Sequence, residues 1–140
     1  MKTLCILSLA LVVMLGSCKK DDDPKFTSAE GDWTYTTPDG KISVDFTLVK
    51  TGSTWSATNE VIRVDGTTAV AAIQTIHLNP PSIAQIRINA NDTKVTYPYP
   101  IEFNNCTVSS DFTEIKVPDA TYTWPQNTDN QLTNITISRK

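Results

Sequence analysis

Two short stretches set large rings with polar tips at alternate positions: Tyr97-Pro98-Tyr99-Pro100 and Tyr122-Thr123-Trp124-Pro125. In an extended chain, successive side chains point to opposite faces. Tyr97 then shares a face with Tyr99, and Tyr122 with Trp124. The prolines cannot donate to a central ladder, so these stretches belong at edges or loop mouths. Rings held there can stack on a sugar or another flat ligand, their polar tips fixing its orientation. The same rings could instead close the end of a hydrophobic core, and both readings stay open from sequence.

Catalytic chemistry has less to work with. His77 is the sole histidine, whereas a histidine-based metal site takes two or more imidazoles or thiolates. A strand over Gln74–Leu78 would put Ile76 and Leu78 on the face opposite His77. No G-x-S-x-G elbow marks a serine nucleophile. Asp45, Glu60, Asp65, Glu102 and Glu114 are scattered, and no spacing selects two of them for glycoside hydrolysis. The five glycines lie mostly in turns and form no phosphate cradle. Cys106 is flanked by Asn104-Asn105 and Thr107-Val108, which offer no base, so it is expected to be a small buried hydrophobe. We therefore expect a non-enzymatic domain with no cofactor and no metal.

The elements that would position these residues are strands. Thr, Val and Ile abound from Gly31 onward, and runs of helix formers are missing. Lys41 to Leu48 alternates cleanly, with Ile42, Val44, Phe46 and Leu48 on one face. Ile83 to Ala90 is read the same way, with Ala84, Ile86, Ile88 and Ala90 together. Ile135 and Ile137 alternate with Asn134, Thr136 and Ser138. Pro38-Asp39-Gly40, Thr51-Gly52-Ser53, Asp65-Gly66 and Asn91-Asp92 are hairpin punctuation. Between residues 54 and 64 the phase of Trp55, Ala57 and Val61 conflicts with that of Ile62 and Val64. A bulge near Asn59 resolves the conflict. Turns about every dozen residues predict an all-β domain, an antiparallel β-sandwich of about eight or nine strands, with a small barrel as the alternative.

The barrel alternative rests on Gly31-Asp32-Trp33 at the first strand and Arg139 near the end of the last. This resembles the lipocalin-like (calycin) pattern, in which a basic residue covers a G-x-W tryptophan and closes one barrel end. The resemblance implies a cation–π pair between Trp33 and Arg139.

The N-terminus carries an address. Lys2 precedes the apolar run Leu4–Leu15, about a dozen residues where about 20 are needed to span a bilayer. Leu15-Gly16-Ser17-Cys18 follows and resembles the lipobox of bacterial lipoproteins. It implies removal of residues 1–17 and acylation of the Cys18 thiol. Lys19-Lys20-Asp21-Asp22-Asp23 resembles the export signal of Bacteroidetes-type surface lipoproteins, implying an outer-membrane protein facing the cell exterior. A periplasm-facing orientation is the alternative. Residues 18–30 are read as a charged tether and 31–140 as a single domain.

The chain has 12 Lys and Arg against 15 Asp and Glu. Loss of residues 1–17 removes one lysine and leaves 11 against 15, a net charge of −4. Residues 31–140 hold 8 Lys and Arg against 11 Asp and Glu, a net charge of −3, and have no basic patch for nucleic acid. With Cys5 removed and Cys18 acylated, Cys106 has no partner for a disulfide. The expected partners are the membrane, through Cys18, and a glycan or small apolar ligand at Tyr97, Tyr99, Tyr122 and Trp124. The alternative is a structural or accessory subunit bound to another envelope protein, and a hydrolase stands third.

Overall fold

The computed structural model describes residues 26–91, 99–123 and 129–140. Cys18, Tyr97 and Trp124 lie outside the described residues. Eight strands follow one another: β1 (Gly31–Thr36), β2 (Ile42–Thr51), β3 (Thr54–Val64), β4 (Thr67–Asn79), β5 (Ser82–Asn91), β6 (Tyr99–Val108), β7 (Glu114–Thr123) and β8 (Asp129–Arg139). Each pairs antiparallel with the next, and β8 returns to β1. The all-β, antiparallel expectation holds, and the strand order is closed. The eight strands form one barrel-like sheet, closed where Trp33 and Thr34 pair with Arg139 and Ser138.

Local sequence accounts for the first hairpins. Ile42, Val44, Phe46 and Leu48 of β2 are all at most 3% exposed, and the residues between them face outward. In the preceding turn, the Asp39 carboxylate accepts hydrogen bonds from Thr37 Oγ1 (2.6 Å) and the Lys41 N–H (3.1 Å). Asp65 and Gly66 adopt φ of 47° and 78°, the conformation a two-residue type I′ turn requires. The bulge expected near Asn59 is present. The register of β2 against β3 shifts between Asp45 and Thr47, and Asn59 has φ 54°.

Trp33, Phe46, Phe103 and a set of isoleucines fill the interior. Side chains just fill a barrel of eight strands. One seam is short. β3 and β4 pair only over Ile62–Val64 and Thr67–Ala69, although β4 runs to Asn79.

A second feature crosses the sheet. In β6, Ile101 and Phe103 are buried, then Cys106 and Val108, while Asn104 and Asn105 both lie outside this set. The inward–outward alternation changes phase there. It changes at the same level in β4, β5, β7 and β8. Ile76, Gln85, Asn104, Asp119 and Thr133 pair in one line across the five strands. The neighbouring line, His77, Ala84, Asn105, Pro118 and Asn134, is skipped by the ladder. His77, Asn105 and Asn134 adopt φ of 47°, 54° and 54°, a region that Asn and His enter more readily than most residues.

This crease overturns two expectations. Over Ile83–Ala90 the buried set is Ile83, Ile86 and Ile88, and Ala84 is exposed. A strict period of two fails because the phase changes at Ala84-Gln85. Ile76, expected opposite His77, stands beside it at 49% exposure for the same reason.

Candidate functional site

The two ends of the barrel differ in chemistry. At the first, where β1 begins and β8 ends, the segment Phe26–Glu30 folds over the core. Ala29 is buried, and its carbonyl accepts the Trp33 indole N–H at 3.1 Å. Arg139 lies over the Trp33 ring at 5.4 Å and over the Phe26 ring at 4.1 Å. Its guanidinium donates to the Ser28 carbonyl at 2.7 Å and to the Glu30 carbonyl. Gly31 suits this position on two counts. Its φ is +125°, and any Cβ would collide with the Arg139 guanidinium. The arrangement closes this end with rings, a fixed cation and main-chain carbonyls.

The opposite end is where β1 turns into β2 and where β7 stops. Tyr35 follows Trp33 on the inward face of β1, and its ring meets Phe103 edge-on at 5.5 Å. The residue is 7% exposed, and its hydroxyl is buried without a hydrogen-bond partner. It is the single such side-chain atom among the described residues. Burial, then the nearby Tyr122 and Asp39, push the Tyr35 hydroxyl up to about 12. An orphaned buried hydroxyl is costly, and a protein that retains one has left a polar partner unsupplied at that point.

Tyr122, half-buried on β7, pairs with Ile101 and Asn130. Burial and then the Asp39 carboxylate raise its hydroxyl as well. The Asp39 carboxyl is held below its ordinary range, first by the Thr37 hydroxyl and then by the Lys41 N–H. Tyr35, Val44, Ile62 and Ala69 follow one another in register across β1 to β4. That row leads from the orphaned hydroxyl to the short seam. Around the seam Val64, Ala69, Ala71 and Ile73 are only partly buried against the core. Small, incompletely covered apolar side chains thus border the level of Tyr35.

Of the four aromatics singled out in the sequence, the structure describes the side chain of Tyr122. Tyr99 opens β6, its backbone paired with Ala90. Tyr122 is turned toward the Tyr35 end of the core and not onto an open outer face. Tyr35 itself is the residue that sequence reasoning passed over. Its signal was present, since Tyr35 alternates with Trp33 and so carries a polar tip on a core face.

Two of the scattered carboxylates are engaged in ion pairs. Asp45 receives Arg63 at 3.0 Å and Lys140 at 2.8 Å, and Glu102 pairs with Arg87 at 3.3 Å. No group of three metal-ligating side chains exists among the described residues. Cys106 is buried, and burial pushes its thiol up to about 12. His77 borders an open outer cavity of about 530 Å³ with Ala84 and Asn105, along the crease. No helix of the described residues is long and apolar enough to cross a membrane. No family model, curated protein or solved structure matches this chain.

Proposed function

We propose that this chain is a lipid-anchored, cell-surface binding module whose barrel receives a small, largely apolar ligand at the Tyr35 end. The single observation that carries the reading is the Tyr35 hydroxyl, buried at 7% exposure and without a partner. A ligand with a polar group would complete it. Tyr122 and the partly covered seam beside Ala69 and Ala71 supply the apolar contact surface. The carboxylates Asp45 and Glu102 are held in ion pairs, which supports a binding role over hydrolysis.

An anchor on Cys18 would limit how far the domain can stand from the membrane. Cys18 precedes Phe26 by eight residues, so an extended tether of at most ~3.6 Å per residue spans about 29 Å. Phe26 lies on Arg139 at the closed end. An anchor on Cys18 would keep the closed end within that reach of the membrane, which is compatible with a ligand entering at the Tyr35 end.

Two measurements test this reading. Intact mass of the wild-type product should show acylation at Cys18, and Cys18→Ala should lose both the acyl mass and membrane retention. The mature chain carrying Cys18→Ser, free of lipid, should bind a neutral apolar fluorophore such as Nile red, and Trp124→Ala should weaken retention of ligands without a large stability loss. A chain that binds neither the fluorophore nor any member of a glycan array would overturn the binding role. In that outcome the exposed Ile76 beside His77 favours the second reading, docking of an envelope protein along the crease.

A further inference from the structure

We infer that the crease holds a binding site of its own, on the outer face of the sheet, for a neutral, hydroxyl-rich ligand: an oligosaccharide. The site stands independently of the Tyr35 end. β4, β5 and β6 each bring two outward residues to one open cavity of about 530 Å³. His77, Ala84 and Asn105 form one row, which the ladder skips. Asn79, Ser82 and Thr107 form the next, paired in register. The alanine is the short member of its row, so its methyl makes the floor between two longer side chains. Strict alternation with Phe103, Ile86 and Ile88 would have turned Asn105 and Ala84 into the core. The phase change turns them out, and the backbone enters the left-handed region at His77 and Asn105 to achieve it. Extra residues of this kind re-aim side chains, and they recur beside functional sites.

The side chains around the cavity select the ligand. His77, Asn79, Ser82, Asn105 and Thr107 all carry hydrogen-bonding groups, and no side-chain hydrogen bond holds any of the five among the described residues. In the neighbouring row the equivalent groups are spent on each other, since Gln85 Nε2 donates to Asn104 Oδ1 at 2.9 Å. No carboxylate, ammonium or guanidinium lines the cavity, so a charged ligand finds nothing there to balance it. A hydrocarbon ligand would cover the five polar groups without replacing their water, which is costly. Hydroxyls both donate and accept and can serve all five at once, while the C–H face of a sugar ring rests on Ala84. The crease then continues from Asn105 to Pro118 and Asn134, where a second cavity of about 290 Å³ adds Thr136. From β4 to β8 it crosses four strand spacings, about 19 Å, a length that suits a chain of sugars over a single ring.

The test titrates the mature Cys18→Ser chain with neutral hexasaccharides of glucose, mannose and xylose, and with a galacturonate hexasaccharide as the acidic comparison. A neutral hexasaccharide should bind, and the acidic one should bind more weakly. Ala84→Leu fills the floor at an exposed position and should weaken binding at least tenfold with an unchanged melt. Asn105→Gly and Thr107→Val should each weaken it about fivefold, the worth of one net hydrogen bond. In the wild type, amide NMR shifts on titration should gather at Ala84 and Asn104–Thr107 and spare Tyr35, which locates the site without any variant. Failure of every hexasaccharide, binding indifferent to Ala84→Leu, or shifts gathered at Tyr35 overturns the inference. A chain that binds no hexasaccharide but loses an envelope-protein contact on Ala84→Leu gives the groove to protein docking and overturns it too. Nile red binding retained in those outcomes leaves the Tyr35-end reading standing, so the two fail separately.

Discussion

Trp33 and Arg139 face each other across the strand pair that closes the barrel, in register and with the guanidinium 5.4 Å from the ring. The same guanidinium ties down the Ser28 and Glu30 carbonyls, so one side chain fastens the last strand, the first strand and the incoming segment. Cation–π contacts of this kind contribute about 0.5–2 kcal/mol. Arg139→Ala should therefore lower stability by at least that amount and expose Phe26–Glu30 to proteolysis. Arg139→Lys should recover little, because a lysine lacks the planar fork that reaches two carbonyls at once. Thermal melts beside limited tryptic digestion decide it. An unchanged melt and digestion pattern would show the contact to be idle.

Tyr35→Phe should move stability in the opposite direction. The change removes a buried oxygen that has no partner and keeps the ring against Phe103. Leaving a buried polar group unsatisfied costs about 1–3 kcal/mol, so the phenylalanine variant should gain roughly that much in urea unfolding at neutral pH. A loss of stability would mean the hydroxyl already has a partner in the empty protein.

Asp45 gives the fold an acid limit. Burial raises its carboxyl, but the hydrogen bonds from Lys140, Thr34 and Arg63 outweigh this and hold it at about 2, against an ordinary 3.8. The folded value lies below the unfolded one, so the stabilisation is complete above about pH 4 and fades as pH falls through about 2. The stability difference between wild type and Asp45→Asn should be level above pH 5 and shrink steadily below pH 4. A difference that is flat down to pH 2 would contradict the ion-pair assignment.

Asn105 probes the crease. At φ 54° a branched side chain is strained. Asn105→Val should cost about 1–2 kcal/mol, the left-handed penalty for a branched residue that lacks the local hydrogen bonding of an asparagine amide. Asn105→Gly should cost less, since glycine enters that region freely. Denaturant melts of the pair provide the comparison, and equal losses would place the cost in side-chain contacts and not in the backbone.

The hairpins can be read directly from the chain because their causes are local. β2 alternates without a break, and Asp65-Gly66 carries its own turn conformation. The bulge at Asn59 is visible as a conflict of phase between Val61 and Ile62. Closure into a barrel is not visible, since it depends on a pairing between Trp33 and Arg139 across the length of the domain. Only the residue types of that pair give it away. The crease is harder still. In any one strand the phase change at Ala84-Gln85 or Pro118-Asp119 reads as irregular sequence. Its meaning lies in five strands changing at one level, with His77, Asn105 and Asn134 as the mid-strand residues that tolerate the turn. At the candidate site, Tyr122 carries its chemistry openly. Tyr35 does not, because a hydroxyl without a partner is a property of its neighbours and cannot be read from its own position.

The crease also constrains how such a chain can change length. A residue deleted beside Asn105 alone would restore simple alternation to β6. It would also turn half of that strand's core residues outward against two neighbours that keep the old phase. Compensation would require matching deletions in β4, β5, β7 and β8 together. Insertions and deletions should therefore be tolerated best in the connections, and the doubled outward positions at Ile76-His77, Ala84-Gln85, Asn104-Asn105, Pro118-Asp119 and Thr133-Asn134 should tolerate a change of length only together.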